Sequence, residues 1–345
     1  MKTIIITKPD DWHVHLRDGD ALPHTVIATA KHFQRALIMP NLTPALTTLQ
    51  SLLDYRQRIL AALPKNLHDF TPFMTFYLNQ TIDPKDLELA ENNPVILGAK
   101  LYPAGATTNS AAGVADIQAI YPVLDLMQQY NLVLQIHGET IHDDIFDREA
   151  LFLTQYLQPI INNFPKLRIV LEHISTAAAV DFIQQAKDNV AATITPQHLL
   201  FNRNHLFANG INPHYYCLPI LKRYQDQVAL QTVATSNSGK FFAGTDSAPH
   251  SRTTKENSCG CAGIYSAPYA VALYTQIFDQ LNSLDKLENF MSRFGAQFYQ
   301  LPLNTQQLSL TKTTQHILTT LPLGTQQVIP ILAGTAIDWS INENS

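Results

Sequence analysis

The chain has 345 residues, 46% of them hydrophobic and 15% charged, with a formal net charge of −5. That length and apolar content allow a sizeable core, while no run of lysine and arginine is long enough to follow a phosphate backbone, so nucleic acid is not an expected partner. The N-terminal M-K-T-I-I-I-T-K-P has too short an apolar run for a secretory signal and no stretch reaches bilayer-spanning length, so a cytoplasmic protein without a membrane partner is expected.

In chain order, short β-type segments alternate with helical ones. The strands are expected at 11–16, 35–39, 71–77, 95–100, 132–137, 167–173, 190–195 and 239–245. Between the fourth and fifth, Ile117, Ile120, Leu124 and Met127 recur at helical spacing, and Pro122 is expected to kink or split that helix. Regular alternation of strand and helix implies a parallel sheet, and eight such units predict an α/β fold of the (β/α)8 TIM-barrel type. No G-x-G-x-x-G follows a strand, so no dinucleotide site is expected. Two long loops, 196–217 and 247–264, break the alternation, as loops that carry function often do. After about residue 300 the chain returns to β-type segments. These are expected to form a small appendage with the N-terminal strand on a single domain spanning 1–345.

The rim of such a barrel is where the polar residues fall. His13 and His15 end the first strand, Asn41 follows the second, Lys100 ends the fourth, His137 the fifth and His173 the sixth, and Asp246 follows the eighth. Active sites of these barrels sit at the C-terminal ends of the strands. Strict alternation predicts that His13, His15 and Arg17 share one face of their strand, with Trp12, Val14 and Leu16 on the other. Counting back in twos from the rim places Ile96 and Gly98, Ile169 and Leu171, and Phe242 and Gly244 on the inward side, with Gln135 as the polar exception. Two hydrogen-bonded histidines would also satisfy the H-x-H pattern, but four imidazoles and a carboxylate on one rim exceed the ligand set of one tetrahedral metal. Lys100 either pairs with Asp246 or Glu172 or, having added carbon dioxide, bridges two metals as an anionic carbamate; the sequence leaves both open. Cys259-Gly-Cys261 lacks the two-residue gap of the usual zinc pairs, so Cys217, Cys259 and Cys261 read as free thiols. His198 reads as a loop-ordering residue.

W-H-V-H-L-R-D-G, M-P-N-L-T-P, A-K-L-Y-P-A-G-A-T-T-N-S, Q-I-H-G-E, L-E-H-I-S-T, I-T-P-Q-H-L, C-L-P-I-L-K and G-T-D-S-A-P-H-S-R-T-T-K-E-N-S-C-G-C-A-G resemble, in chain order, the bacterial class II dihydroorotases of the amidohydrolase superfamily. The resemblance implies two zinc ions per subunit. His13, His15 and Asp246 would hold one, His137 and His173 the other, and Lys100, as N6-carboxylysine, would bridge them together with a hydroxide. It further implies that Arg17, Asn41 and His250 grip the carboxylate of a small-molecule substrate, that backbone groups of Leu218 and Ala262 hold its ring amides, and that Thr107 and Thr108 belong to a lid loop.

The implied reaction is the reversible cyclisation of N-carbamoyl-L-aspartate to L-dihydroorotate in pyrimidine synthesis, in a homodimer. Asp246 would be the catalytic acid/base, accepting a proton from the attacking water and passing it to the leaving ring nitrogen. A sibling hydantoinase or allantoinase would share the metals and lack the carboxylate clamp; a catalytically dead barrel would have lost ligands, and none is missing.

Overall fold

The computed structural model describes residues 2–342. Met1 and residues 343–345 of the expected domain lie outside them. An N-terminal strand β1 (Thr3–Thr7) is followed by eight parallel strands: β2 (Asp10–Val14), β3 (Arg35–Ile38), β4 (Thr71–Leu78), β5 (Ile96–Leu101), β6 (Val133–Ile136), β7 (Ile169–Leu171), β8 (Val190–Ile194) and β9 (Phe241–Ala243). They pair in chain order, as right-handed βαβ units require. Backbone bonds Asp246 N–H to His13 O (2.8 Å) and His15 N–H to Ser247 O (3.0 Å) join the last strand to the first, so the sheet closes into a barrel.

Helices Leu22–Ala30, Leu49–Ala61, Pro84–Glu91, Tyr121–Gln129, Ala177–Gln185, Tyr224–Ala234 and Ala270–Gln280 cover the outside, with Arg148–Asn163 forming one helix interrupted by a π turn. Several starts are set locally: Thr48 and Ser51 form a reciprocal capping box, and the Thr176 hydroxyl accepts the Ala179 N–H. Pro122 does divide its segment, separating a 3-10 turn (Gln118–Ile120) from the α-helix, because proline fits the first turn, where its missing N–H costs nothing. The long segments after β8 and β9 are not structureless: they contain the short helices Pro196–Leu200 and Arg252–Lys255 and two 3-10 turns.

Two apolar layers result. One packs the outer strand faces against the helices. The other fills the N-terminal half of the barrel, where Trp12 stacks on Tyr299 with centroids 4.5 Å apart and packs with Leu37, Phe73, Val133, Val170 and Phe242. At Gly295 a Cβ would come within 1.9 Å of the Trp12 indole, so only glycine lets the helix Phe294–Phe298 approach that closely.

Strict alternation fails at three places. Trp12 lies inside the barrel, on the same side as His13 rather than opposite it, because the β2–β3 register shifts between Asp11 and Val14. Ile96 packs in the outer layer, since a shift beside Leu97 separates it from Gly98 and Lys100. Ile169 and Leu171 also face outward while Val170 faces in, and His173 returns inward only because its φ is +42°. β-Bulges near active sites re-aim side chains in this way.

Outside the barrel, β1 pairs antiparallel with β10 (Gln307–Thr311), which also pairs with residues Ser340–Ile341. Hairpin Leu321–Leu323/Gln326–Val328 and pair Gln315–His316/Ala336–Ile337 complete this β-rich region. Among the described residues no helix is long and apolar enough to cross a membrane.

Candidate active site

β2 delivers His13, the residue just past its end is His15, and the turn after β9 delivers Asp246. Asp246 Oδ1 lies 3.1 Å from His15 Nε2 and 3.5 Å from His13 Nε2. All three residues are buried, and their ligand atoms lie within 4.8 Å of one another, an arrangement able to hold a metal ion. The far nitrogens are anchored: His13 Nδ1 meets Glu172 Oε2 at 3.0 Å and His15 Nδ1 meets Asn41 Oδ1 at 2.8 Å. Such outer contacts fix the ring orientation of metal-ligating histidines.

His173 lies between the other imidazoles, its ring centroid 4.9 Å from those of His13 and His137. His137 Nε2 is held by Glu139 Oε2 at 2.9 Å, with Lys222 Nζ 3.8 Å from the other carboxylate oxygen. Lys100 is fully buried, 5.2 Å over the Tyr102 ring, and its Nζ has no hydrogen-bond partner. The direct pairing with Asp246 or Glu172 that the sequence left open is therefore not formed.

His13 Nε2, His173 Nδ1 and Glu172 Oε1 are likewise buried without a hydrogen-bond partner. Buried polar atoms are normally satisfied, so a convergent set of orphans marks a place for a charged group. The donors, imidazole and carboxylate around a lysine, fit a borderline divalent metal centre.

Burial pushes His13 and His173 well below the ordinary imidazole range, with the Lys100 ammonium next in effect, and lowers His15 as well. Neutral imidazoles are the metal-binding form. Burial alone would raise Asp246, but the His15 hydrogen bond and the charges of His13, His15 and Lys100 hold it below the usual carboxylate range. Burial also brings Lys100 down to about 8.

Beside this cluster Arg17 (φ +62°) donates through Nε to Pro249 O at 2.9 Å, and its Nη2 meets His250 Nε2 at 3.1 Å. His250 Nε2 also lies 3.0 Å from Ala262 O, and Thr108 Oγ1 donates to that same carbonyl at 3.3 Å. Asn41 donates to Thr108 O at 3.1 Å, so one amide touches both a histidine of the cluster and the 105–110 loop. Arg17, Asn41, Thr108 and Ala262 line one pocket with the histidine cluster, Asp246, Tyr102, Leu218, Thr107 and Gly263, and His250 stands beside it through its contacts with Arg17 and Ala262. The sequence-selected rim residues thus converge. Glu172, Glu139, Asp11 and Tyr102 were not selected for a role of their own; the carboxylate beside the ligand-type histidine in both Q-I-H-G-E and L-E-H-I-S-T was the available signal. His198 orders a loop, its Nδ1 2.8 Å from Thr195 Oγ1 and Nε2 3.0 Å from Pro219 O. The three thiols are free, with Cys259 and Cys261 sulfurs 3.8 Å apart.

Residues 4–306 match the amidohydrolase family. Along its whole length the chain is 53% identical to the dihydroorotase of Coxiella burnetii, covering 100% of this chain and 99% of that relative, and 53% identical to that of Vibrio cholerae, covering 99% and 100%. The dihydroorotase structure from Campylobacter jejuni superposes with a TM-score of 0.91 at 36% identity, covering 99% of this chain and 97% of that one, and the one from Saccharomyces cerevisiae with 0.90 at 34%, covering 99% of each. An L-hydantoinase from Arthrobacter aurescens shares the fold alone, with a TM-score of 0.80 at 14% identity. The chain belongs to the amidohydrolase family, among its dihydroorotases.

Proposed function

We propose that the chain catalyses the reversible cyclisation of N-carbamoyl-L-aspartate to L-dihydroorotate as a cytoplasmic homodimer, with two zinc ions held by His13, His15 and Asp246 and by His137 and His173. Lys100, as its carbamate, would supply an anionic ligand to that centre. Burial brings its amine down to about 8, so a neutral fraction able to add carbon dioxide exists near neutrality, and the resulting anion removes an otherwise unpartnered buried ammonium. Zinc, when bound, lowers the pKa of a water and polarises the ring carbonyl.

The chain's own residues account for the rest. Arg17 offers a charged, planar donor pair to the substrate carboxylate, with His250 beside it. Asn41 ties His15 to the loop carrying Thr107 and Thr108, so closure of that loop over the pocket and alignment of the imidazole go together. Asp246, held ionised by its neighbours, takes the proton from the attacking water and delivers it to the departing ring nitrogen; the reverse reaction runs the same transfer backwards.

The observation that carries this reading is Arg17, with His250 against its guanidinium, in the same pocket as the His13–His15–Asp246 cluster. An absorbance assay on dihydroorotate and on hydantoin, with zinc measured on the same sample, tests it. Dihydroorotate turnover with about two zinc per chain is expected; preference for hydantoin would assign the clamp to something else.

A further inference from the structure

The long segments after β8 and β9 both end at the pocket, one at Leu218 and the other at Ala262 and Gly263. Lys255 joins them. It closes the one-turn helix Arg252–Lys255, which Ser251 caps, and its side chain is buried at 3% exposure. Nζ donates to Tyr216 O at 2.8 Å and to Gly263 O at 2.7 Å, while Gly263 N–H donates to Tyr216 O at 2.9 Å. The ammonium also lies 5.8 Å over the Tyr216 ring. Among the described residues no carboxylate stands within ion-pair distance of it. Cys217 and Cys261 are the groups that favour its charge, against burial, which brings it down to about 8, and His250 lies close enough to sense it.

A buried ammonium with carbonyls and a ring face but no carboxylate around it is a costly way to fill space, and an apolar side chain would pack there without that cost. What the ammonium provides is a fixed spacing between two backbone segments. Gly263 (φ +149°) has no slack on its other side, since a Cβ there would come within 2.5 Å of Ala248 O and 2.9 Å of His250 Cδ2.

We propose that Lys255 is a positioning residue for ring recognition: its ammonium holds the 216–218 backbone at a set distance from the 262–263 backbone, so that both edges of a cyclic amide are gripped together. Arg17, anchored on Pro249 O, touches neither segment and is the main hold on the substrate carboxylate, while His250 reaches one of them through Ala262 O. This inference rests on the functional reading above.

Lys255→Met keeps the stem and removes both donated bonds. The expected result is a KM for dihydroorotate raised about tenfold or more, with kcat changed less than about threefold. Bound zinc should be unaltered, as should inhibition by succinate, a dicarboxylate with no ring. A lowered melting temperature with KM unchanged would make the lysine a structural staple and overturn the proposal, as would a succinate Ki that rises in step with KM. If Lys255→Met does not fold, Lys255→Gln, which keeps one donor group on a shorter stem, is measured the same way and the same outcomes decide. A wild-type protein that fails to turn over dihydroorotate would refute the functional reading instead.

Discussion

Asp11 on the first barrel strand accepts the backbone N–H of Thr245 after the last at 2.8 Å, and its other oxygen accepts the Thr245 hydroxyl at 2.6 Å. The first oxygen also accepts the His13 N–H at 3.2 Å. One fully buried carboxylate therefore closes the barrel seam between the strand bearing His13 and His15 and the turn bearing Asp246.

Asp11→Ala should consequently destabilise the fold by at least about 2 kcal/mol, since it leaves two backbone N–H donors unsatisfied in the interior and the Thr245 hydroxyl with only the His13 carbonyl at 3.3 Å. Bound zinc should fall as well, because His13 and Asp246 lose their common anchor. Urea unfolding and metal analysis on the same preparation check this; lost stability with full metal loading would separate the seam from the site.

Lys100→Ala should lose metal and activity together, with partial recovery on adding short carboxylic acids that take the place of the carbamate. The motive is the buried, unpartnered Nζ among the histidines. A variant that keeps its metal and its rate would end the bridging role.

Arg17→Met should raise KM for dihydroorotate by about 100-fold, the order expected for one lost charged contact of a few kcal/mol, while zinc content stays the same. Steady-state kinetics with metal analysis suffice, and unaltered kinetics would place the substrate carboxylate elsewhere.

Replacing Thr107 and Thr108 together by alanine should lower kcat more than about tenfold, since the loop's contacts with the far wall include Thr108 Oγ1 on Ala262 O. Normal turnover in the double variant would deprive the loop of any role as a lid.

Asp279 on helix Ala270–Gln280 ties the N- and C-terminal strands to the barrel. Burial alone would raise its carboxyl, but Lys312, Lys2 and the Trp339 indole N–H outweigh that and hold it at about 2. A depressed carboxyl contributes stability above its unfolded pKa, near 4, that is lost as pH falls through the folded value. Wild type should thus be more stable than Asp279→Asn at pH 7, with the gap shrinking as pH falls below about 4 and gone only below about pH 2. Denaturant midpoints across that range test the sign; a gap that widens in acid would contradict it.

Much of this protein is legible in its amino-acid sequence. Eight β-type segments separated by helical periodicity dictate a closed parallel barrel, because each strand is apolar on both faces and must be covered. The ligand-type residues were legible for the same reason: each breaks an apolar strand at its last turn, as Lys100 does after Gly98. Tertiary structure alone decided which side chains face inward. Period-two counting misassigned Trp12, Ile96, Ile169 and Leu171, since register shifts in β2 and β5 and a left-handed residue at His173 change the phase just before the rim. Those irregularities arise from the pairing of each strand with its neighbours and leave no local mark in composition. The supporting carboxylates Asp11, Glu139 and Glu172, and the buried Lys255, were hidden for a related reason: a charged residue announces its type in the sequence, but whether it is solvated or buried against a partner far along the chain depends on packing.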